Sequence, residues 1–241
     1  LMRFSVVVYD TVPVNLAGAL ETLLGSGAGT LTKEDLGGGI YAWKIVGGLR
    51  NGALSAGSQV VVGADTPADE VTVIARMRVV DGEFGSSFMP LCHFNDVADG
   101  NTVSSGFGLI HDKPGWSSAA GAVGAGSGLT SPSASYETVA ARWRPSATFN
   151  ADQVDVWRAT GGGTSAPDYS GTGTATGKTL SHLTIGPGIS TGEHYFQFWM
   201  LYKGVLTDAE VRSIVTDFDA AFSPPPANVS GSATLDDVTA G

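Results

Sequence analysis

The chain has 241 residues, a formal net charge of −10, only 15% charged residues, 34 glycines and one cysteine. Its acidity repels phosphate backbones and argues against nucleic acid as a partner. No apolar run reaches the ~20 residues of a bilayer-spanning helix, and no basic amphipathic stripe marks a membrane-surface helix, so no membrane insertion is expected.

Taken in chain order, Phe4-Ser5-Val6-Val7-Val8-Tyr9 is a β-branched run and predicts a strand. Asn15 can cap a short helix carrying Leu16, Leu20, Leu23 and Leu24 on one side, stopped by Gly25. Thr32 can cap a further helical turn over Lys33, Glu34, Asp35 and Leu36, ended by Gly37-Gly38-Gly39. From Ile40 onward the pattern changes to short apolar runs parted by turn residues. Strands are predicted over 40–46, 59–62, 71–80, 87–94, 106–111, 136–143, 153–159, 181–185 and 194–202. Within 71–80, Val71, Val73, Ala75, Met77 and Val79 face inward while Thr72, Arg76 and Arg78 face out, the alternation of a strand with one buried face. Val154, Val156 and Arg158 similarly oppose Asp155 and Trp157.

The last strand runs into a turn and a short capped helix. Thr207 is placed to be its N-cap, with Glu210 three residues on, the spacing of a capping box. After Phe222, Ser223-Pro224-Pro225-Pro226-Ala227 is a stiff segment that cannot continue a helix. The remainder, 228–241, is small, acidic and too poor in apolar residues to build a core. It reads either as a disordered tail or as an extended arm adding a strand to a neighbouring subunit. The chain therefore divides into an N-terminal embellishment or arm (1–39), a main β domain (40–222) and a Pro-rich linker with a C-terminal arm (223–241).

The closing segment, from Tyr195-Phe196-Gln197-Phe198-Trp199 through Leu206-Thr207-Asp208-Ala209-Glu210, resembles the final strand and helix of the laminin-G-like/concanavalin-A-like sandwich. Further motifs follow in that family's order. Asn51-Gly52-Ala53-Leu54 with Gln59-Val60-Val61-Val62 looks like its small-residue turn and following strand. The 70–79 run looks like its long strand, and Gly106-Phe107-Gly108-Leu109-Ile110 like its Gly-Phe-x-Leu strand. Residues 136–143, 154–158 and Leu183-Thr184-Ile185-Gly186 supply three more matches. The resemblance spans roughly residues 40 to 220 and rests on the order of these short motifs. It implies an all-β fold, a two-sheet antiparallel jelly-roll sandwich, with short helices near the N-terminus and at about 207–220.

The same sandwich hosts glucanases and polysaccharide lyases. A glucanase needs two carboxylates flanking the scissile bond, which on this fold usually come from one strand as Glu-x-Asp-x-Glu or Glu-x-Asp-x-x-Glu, and neither string occurs. Asp152 and Asp155 are an odd offset apart, which puts them on opposite faces, and Asp81-Gly82-Glu83 reads as a turn. A lyase base could come from His111, His182 or His194, but no motif selects one. Asp96, Asp99 and Asn101 gather oxygens in a tight loop at Gly100, a candidate calcium site, although the same residues suit any turn. A zinc site lacks its ligands. Sugar binding calls for loop aromatics beside polar groups. Trp116 in Lys113-Pro114-Gly115-Trp116-Ser117 and Tyr169 in Pro167-Asp168-Tyr169-Ser170 meet that need, with His111 and Asp112 close to the first. Trp43, Trp143, Trp157 and Trp199 fall in strand-like runs and read as packing residues. Cys92, among Phe88, Met89, Leu91 and Phe94, reads as a small buried hydrophobe. Gly121-Ala122-Val123-Gly124-Ala125-Gly126-Ser127-Gly128 and Gly161-Gly162-Gly163 read as loops and not phosphate cradles, since neither leads from a strand into a helix.

The resemblance implies a non-catalytic recognition or structural module. The Ser/Thr/Gly/Ala-rich joining tail, the single cysteine and the lack of a visible signal peptide suggest a bacteriophage virion surface as the setting, in a decoration, fibre or tail-associated protein. The expected partners are other virion proteins, copies of the chain itself, and cell-surface glycan. The alternative is a polysaccharide-degrading lyase or glycoside hydrolase on the same fold. Neither reading requires a cofactor beyond the candidate calcium.

Overall fold

The computed structural model describes residues 4–9, 26–27, 29–37, 40–48, 50–53, 60–62, 70–80, 89–95, 106–112, 115–120, 123–125, 135–144, 152–161, 163–173, 178–180, 182–186, 192–203 and 206–222. Its strands, in chain order, are β1 (Phe4–Tyr9), β2 (Ser26–Gly27), β3 (Thr30–Gly37), β4 (Ile40–Val46), β5 (Arg50–Ala53), β6 (Val60–Val62), β7 (Val71–Val80), β8 (Met89–Asn95), β9 (Gly106–Asp112), β10 (Gly115–Ala120), β11 (Val123–Ala125), β12 (Glu137–Arg144), β13 (Asp152–Arg158), β14 (Tyr169–Gly173), β15 (Lys178–Leu180), β16 (His182–Ile185) and β17 (Glu193–Lys203). One helix, α1 (Asp208–Phe222), follows the last strand.

The strands form two main antiparallel sheets. An eight-stranded sheet runs β14-β13-β12-β7-β17-β4-β3, with β1 also paired to β17. A seven-stranded sheet runs β11-β10-β9-β8-β16-β5-β2, and β6 with β15 makes a small third sheet. Between the two large sheets β12 lies near β9, β13 near β10 and β11 near β14. This is the two-sheet, antiparallel β-sandwich that the motif order implied, closed by the helix at its C-terminal end.

The eight-stranded sheet is covered on both faces. Val71, Val73, Ala75 and Met77 of β7 are buried, beside Val139, Ala141 and Trp143 of β12 and Val154 and Val156 of β13. These belong to the face turned towards the second sheet. The opposite face carries Ile74, Ala140 and Trp157, on which α1 lays Val211 and Val215, with Leu206 beside them and Tyr202, Ile214 and Phe218 at the margin. Burying each large side chain fully is worth roughly 1.5–3 kcal/mol, so this second layer is a substantial part of the core. It corrects the reading of 71–80 as a strand with one wet face: Thr72, Ile74 and Arg76 are as buried as their apolar neighbours. Alternation correctly sorts side chains between faces, but it cannot tell water from a covering helix.

The N-terminal region also departs from expectation. Residues 30–37 do not form a helical turn from Thr32; they are β3, in a hairpin with β4 that pairs Thr32 with Lys44 and Lys33 with Trp43. The reason is a partner available only in three dimensions: β4 offers β3 a complete antiparallel ladder, which outweighs a short local cap. β1 joins the same sheet. β17 pairs with β7 along its length, while its other edge is shared end to end by β4, over 193–196, and β1, over 198–202. The change of partner falls at Gln197, where the register with β7 slips by one residue. Gln197 is buried, and its Oε1 accepts a 2.7 Å hydrogen bond from Arg76 Nε. Such a bulge bends the strand and unpairs one residue; here the buried arginine satisfies that residue's side chain.

Three segments read as loops or turns are partly strand: Asn51 to Ala53 lies in β5, Val123–Ala125 is β11, and Trp116 lies in β10. The predicted helix from Asn15 and the segment from residue 223 onward lie outside the described residues.

Candidate functional site

The outer face of the eight-stranded sheet has two ends of different chemistry, and α1 divides them. At the helix end, the capping box forms as the spacing indicated. Glu210 Oε2 accepts from Thr207 N at 2.7 Å, and Thr207 Oγ1 accepts from Glu210 N at 3.2 Å. The Thr207 backbone N–H, and after it the Thr207 hydroxyl donating to the same carboxylate at 2.8 Å, hold the Glu210 carboxyl below its ordinary value. Beneath the cap lies Arg142, fully buried. It donates to Leu206 O at 2.8 Å, to Asp155 Oδ2 at 2.7 Å and to Asp208 Oδ1 at 2.6 Å, and its guanidinium stands 4.5 Å from the Trp157 ring. Arg144 joins Asp208 to Glu70, and Glu70 Oε1 accepts from Leu206 N. Asp155 is completed by Gln153 and Ser170. Nε of Arg142 makes no hydrogen bond and stands 3.8 Å from Glu70 Oε1; the bonds made by the rest of the guanidinium offset much of the desolvation of a charge this deep.

The β13–β14 loop is braced from the same helix. Arg212 donates to the carbonyls of Arg158, Thr164 and Ala166 and to Asp168 Oδ1, all at 2.6–2.9 Å. Arg158 closes on Glu137 through two hydrogen bonds, and Thr160 bonds the same carboxylate through its hydroxyl. Gly163 sits at φ 68°, a left-handed conformation that a side chain would strain. Gly161 packs against the Asp168 carboxylate so closely that a Cβ there would collide with it.

The other end of the face is not covered by α1. Lys44, Tyr195 and Arg78 stand directly opposite one another on β4, β17 and β7, and Tyr136, just before β12, extends the row. Arg78 lies 4.1 Å from the Tyr195 ring centre and 5.4 Å from that of Tyr136; Lys44 Nζ lies 5.2 Å from Tyr195. Lys44 binds Glu193 at 3.0 Å and approaches Glu34 at 3.8 Å, while Tyr195 donates to Glu193 at 2.8 Å. Hydrogen bonding to Tyr195 and then Glu193 pushes the Lys44 ammonium well above its usual range, and the bond from Lys44, then that from Tyr195, holds Glu193 below its own. Burial pushes the Tyr136 phenol up to about 12. Arg78 Nε and the Tyr136 hydroxyl are both buried without a hydrogen-bond partner.

The residues singled out from sequence fall in three places. His111 and Trp116 are cross-strand partners in the β9–β10 hairpin, and Asp112 pairs with Gly115 at its end. The hairpin thus gathers three of the four glycan candidates at one corner of the seven-stranded sheet, with Trp116 on a strand and not on a loop. The fourth, Tyr169, begins β14 opposite Val156 in the other sheet, also on a strand. Asp96, Asp99 and Asn101 lie outside the described residues, and no cluster of three metal-ligating side chains occurs among the described ones. Trp43, Trp143 and Trp157 are buried, as their strand-like runs indicated, and so is His194. Sequence reading missed the Lys44–Tyr195–Arg78–Tyr136 row. Its only linear trace is the outward parity of Arg78; the pairing register that aligns the four residues is not visible in one dimension.

No family model matches the chain, and no curated protein matches it in sequence. Solved structures match it in shape. The binding domain of Paraclostridial Mosquitocidal Protein 1 superposes with a TM-score of 0.55 at 9% identity, over 90% of this chain and 52% of that one. The binding domain of botulinum neurotoxin serotype G gives 0.52 at 8% identity, over 79% and 45%. A botulinum neurotoxin type C structure, whose cell entry is described as dependent on interaction with two ganglioside molecules, gives 0.50 at 7% identity, over 80% and 46%. The chain spans about half the length of these structures. At such identities the likeness is one of fold: a β-sandwich of the kind found in toxin binding domains.

Proposed function

We propose that this chain is a non-catalytic recognition module that binds cell-surface glycan through the β9–β10 hairpin corner, and that it works as a surface component of a bacteriophage virion. The observation that carries the reading is the pairing of Trp116 with His111 across one strand end. An aromatic ring for stacking on a sugar's C–H face, beside hydrogen-bonding side chains, is what saccharide recognition requires. Two of the similar toxin structures are binding domains, and the description of the third ties the cell entry of its toxin to gangliosides. Fold alone decides no activity.

The buried carboxylates support the non-catalytic side of the reading. Glu70, Glu137 and Asp155 each engage an arginine. Carboxylates held in this way serve the fold and are poorly placed to exchange protons with a substrate. The virion setting is supported by composition, through the Ser/Thr/Gly/Ala-rich tail after Pro226 and the single cysteine. Repeated copies on a particle would make weak individual contacts effective.

The test is a glycan-array screen of the purified chain and its Trp116→Ala variant. Array signal that falls in the variant, at unchanged melting temperature, is the expected result. Retained adhesion would remove the hairpin corner from the site. Release of new reducing ends or unsaturated products from alginate, laminarin or capsular polysaccharide, abolished by His111→Ala, would establish the enzymatic alternative instead.

A further inference from the structure

The Arg78 row, at the end of the eight-stranded sheet away from α1, carries donor groups that the hairpin corner does not use. We infer that it is a second, separate binding site, selective for the carboxylate of an acidic saccharide, with Arg78 and Tyr136 as the contacting residues. This inference deepens the glycan-recognition reading and assumes that the chain binds sugars.

Arg142, laid on the Trp157 ring, pairs with the carboxylates of Asp155 and Asp208. Arg78 has the two rings but no ion pair to a described carboxylate. The nearby acids, Glu193 and Glu34, are both held by Lys44. Arg78 still acts on Glu193 through its field, so that acid is near but turned to another partner. Arg78 Nε and the neighbouring Tyr136 hydroxyl are buried and neither makes a well-formed hydrogen bond, although Arg78 approaches the Tyr136 oxygen closely enough to act on it as a donor. A buried donor without a partner is costly, and native proteins rarely keep two side by side without a use. Both residues are half-buried as a whole, while Arg78 Nε and the Tyr136 hydroxyl themselves are covered, so a ligand would meet the exposed part of each side chain first.

Both missing partners are acceptors. A planar guanidinium and a phenol O–H beside it suit a carboxylate, whose oxygens can each take one of these bonds. Tyr136 keeps its proton at any physiological pH, because burial raises its titration to about 12, so it remains a donor. The paired Lys44–Glu193–Tyr195 group below it holds Tyr195 in place as a floor for the guanidinium. The row counts two cations, Lys44 and Arg78, against two acids, Glu34 and Glu193, and is formally neutral. Preference for an acid therefore comes from contact geometry and not from long-range attraction, as suits a chain whose overall charge is −10. Tyr195 is buried beneath Arg78, so the aromatic surface a sugar ring could meet next to the donors is that of the half-buried Tyr136.

The experiment measures binding of two matched pairs by titration calorimetry: tri-galacturonate against the same trimer with its carboxyls reduced, and sialyllactose against lactose. The proteins are the full chain, Arg78→Gln, Tyr136→Phe and Trp116→Ala. The inference expects the wild type to prefer the acidic member of at least one pair by roughly tenfold or more, the scale of a hydrogen bond to a charged group. It expects Arg78→Gln and Tyr136→Phe to lose that preference while Trp116→Ala keeps it. Tyr136→Phe removes a single oxygen, so it separates lost contact from lost folding. No preference in either pair, or a preference unchanged in Tyr136→Phe and Arg78→Gln, would overturn the inference. If acidic sugars bind and only Trp116→Ala removes them, the second site is refuted and the hairpin reading stands. If neutral glycans bind through Trp116 and acids do not bind at all, the outcome is the same.

Discussion

At the residue scale, burial and pairing together decide what each charge does. Arg142 is fully buried yet has three acceptors and an aromatic ring around it, with its Nε left unbonded, whereas Arg78 stands on two rings with no ion pair to a described carboxylate. Breaking the first arrangement leaves Asp155 charged and fully buried. Arg142→Met is therefore expected to destabilise the fold by about 3–5 kcal/mol, measured by urea unfolding. Replacing both partners, Arg142→Met with Asp155→Leu, should cost clearly less than the single change; an equal or greater cost would show that the pair is not energetically coupled. The sequence showed Asp155 and Trp157 on the face opposite Val154 and Val156, and that sorting holds. That Asp155 would be dry was not legible, because the helix covering it comes from residues some fifty positions further on.

At the element scale, the capping box and the β3–β4 hairpin show how local and non-local signals compete. Thr207 and Glu210 form a cap because their hydrogen bonds span only three residues and need no distant partner. Thr32, a comparable cap residue, forms none, because β4 supplies an unbroken ladder from Thr30 to Asp35. The cap has a pH signature. Its bonds lower the Glu210 carboxyl below the ordinary 4.5, so the stability it contributes is present above that value and is lost as pH falls through the lowered one. Glu210→Gln is expected to melt below the wild type at neutral pH, with the gap closing in acid below 4.5. A gap that stays constant across the acid range would mean that the charge of Glu210 contributes nothing. Thermal melts followed by circular dichroism across that range measure it.

At the scale of the whole molecule, the sandwich depends on closure of its longest strand. β17 is held by β7 on one edge and by β4 and β1 in turn on the other, with the exchange at Gln197. Removing residues 1–9 would open the 198–202 edge, including Phe198, Trp199, Met200 and Leu201. An open apolar edge templates pairing with another chain. The truncated protein is therefore expected to melt lower than the full chain and to self-associate in light scattering, and a monomer of unchanged stability would refute this role for β1. By itself, the order of short apolar runs determined the class of fold, the final strand and the capped helix, because alternation and capping are local and survive in one dimension. Only the tertiary structure decided that the helix dries the second face of the sheet, that the N-terminal segment belongs to it, and that Lys44, Tyr195, Arg78 and Tyr136 share one row. Each of those depends on register between strands far apart in sequence, which no local pattern encodes.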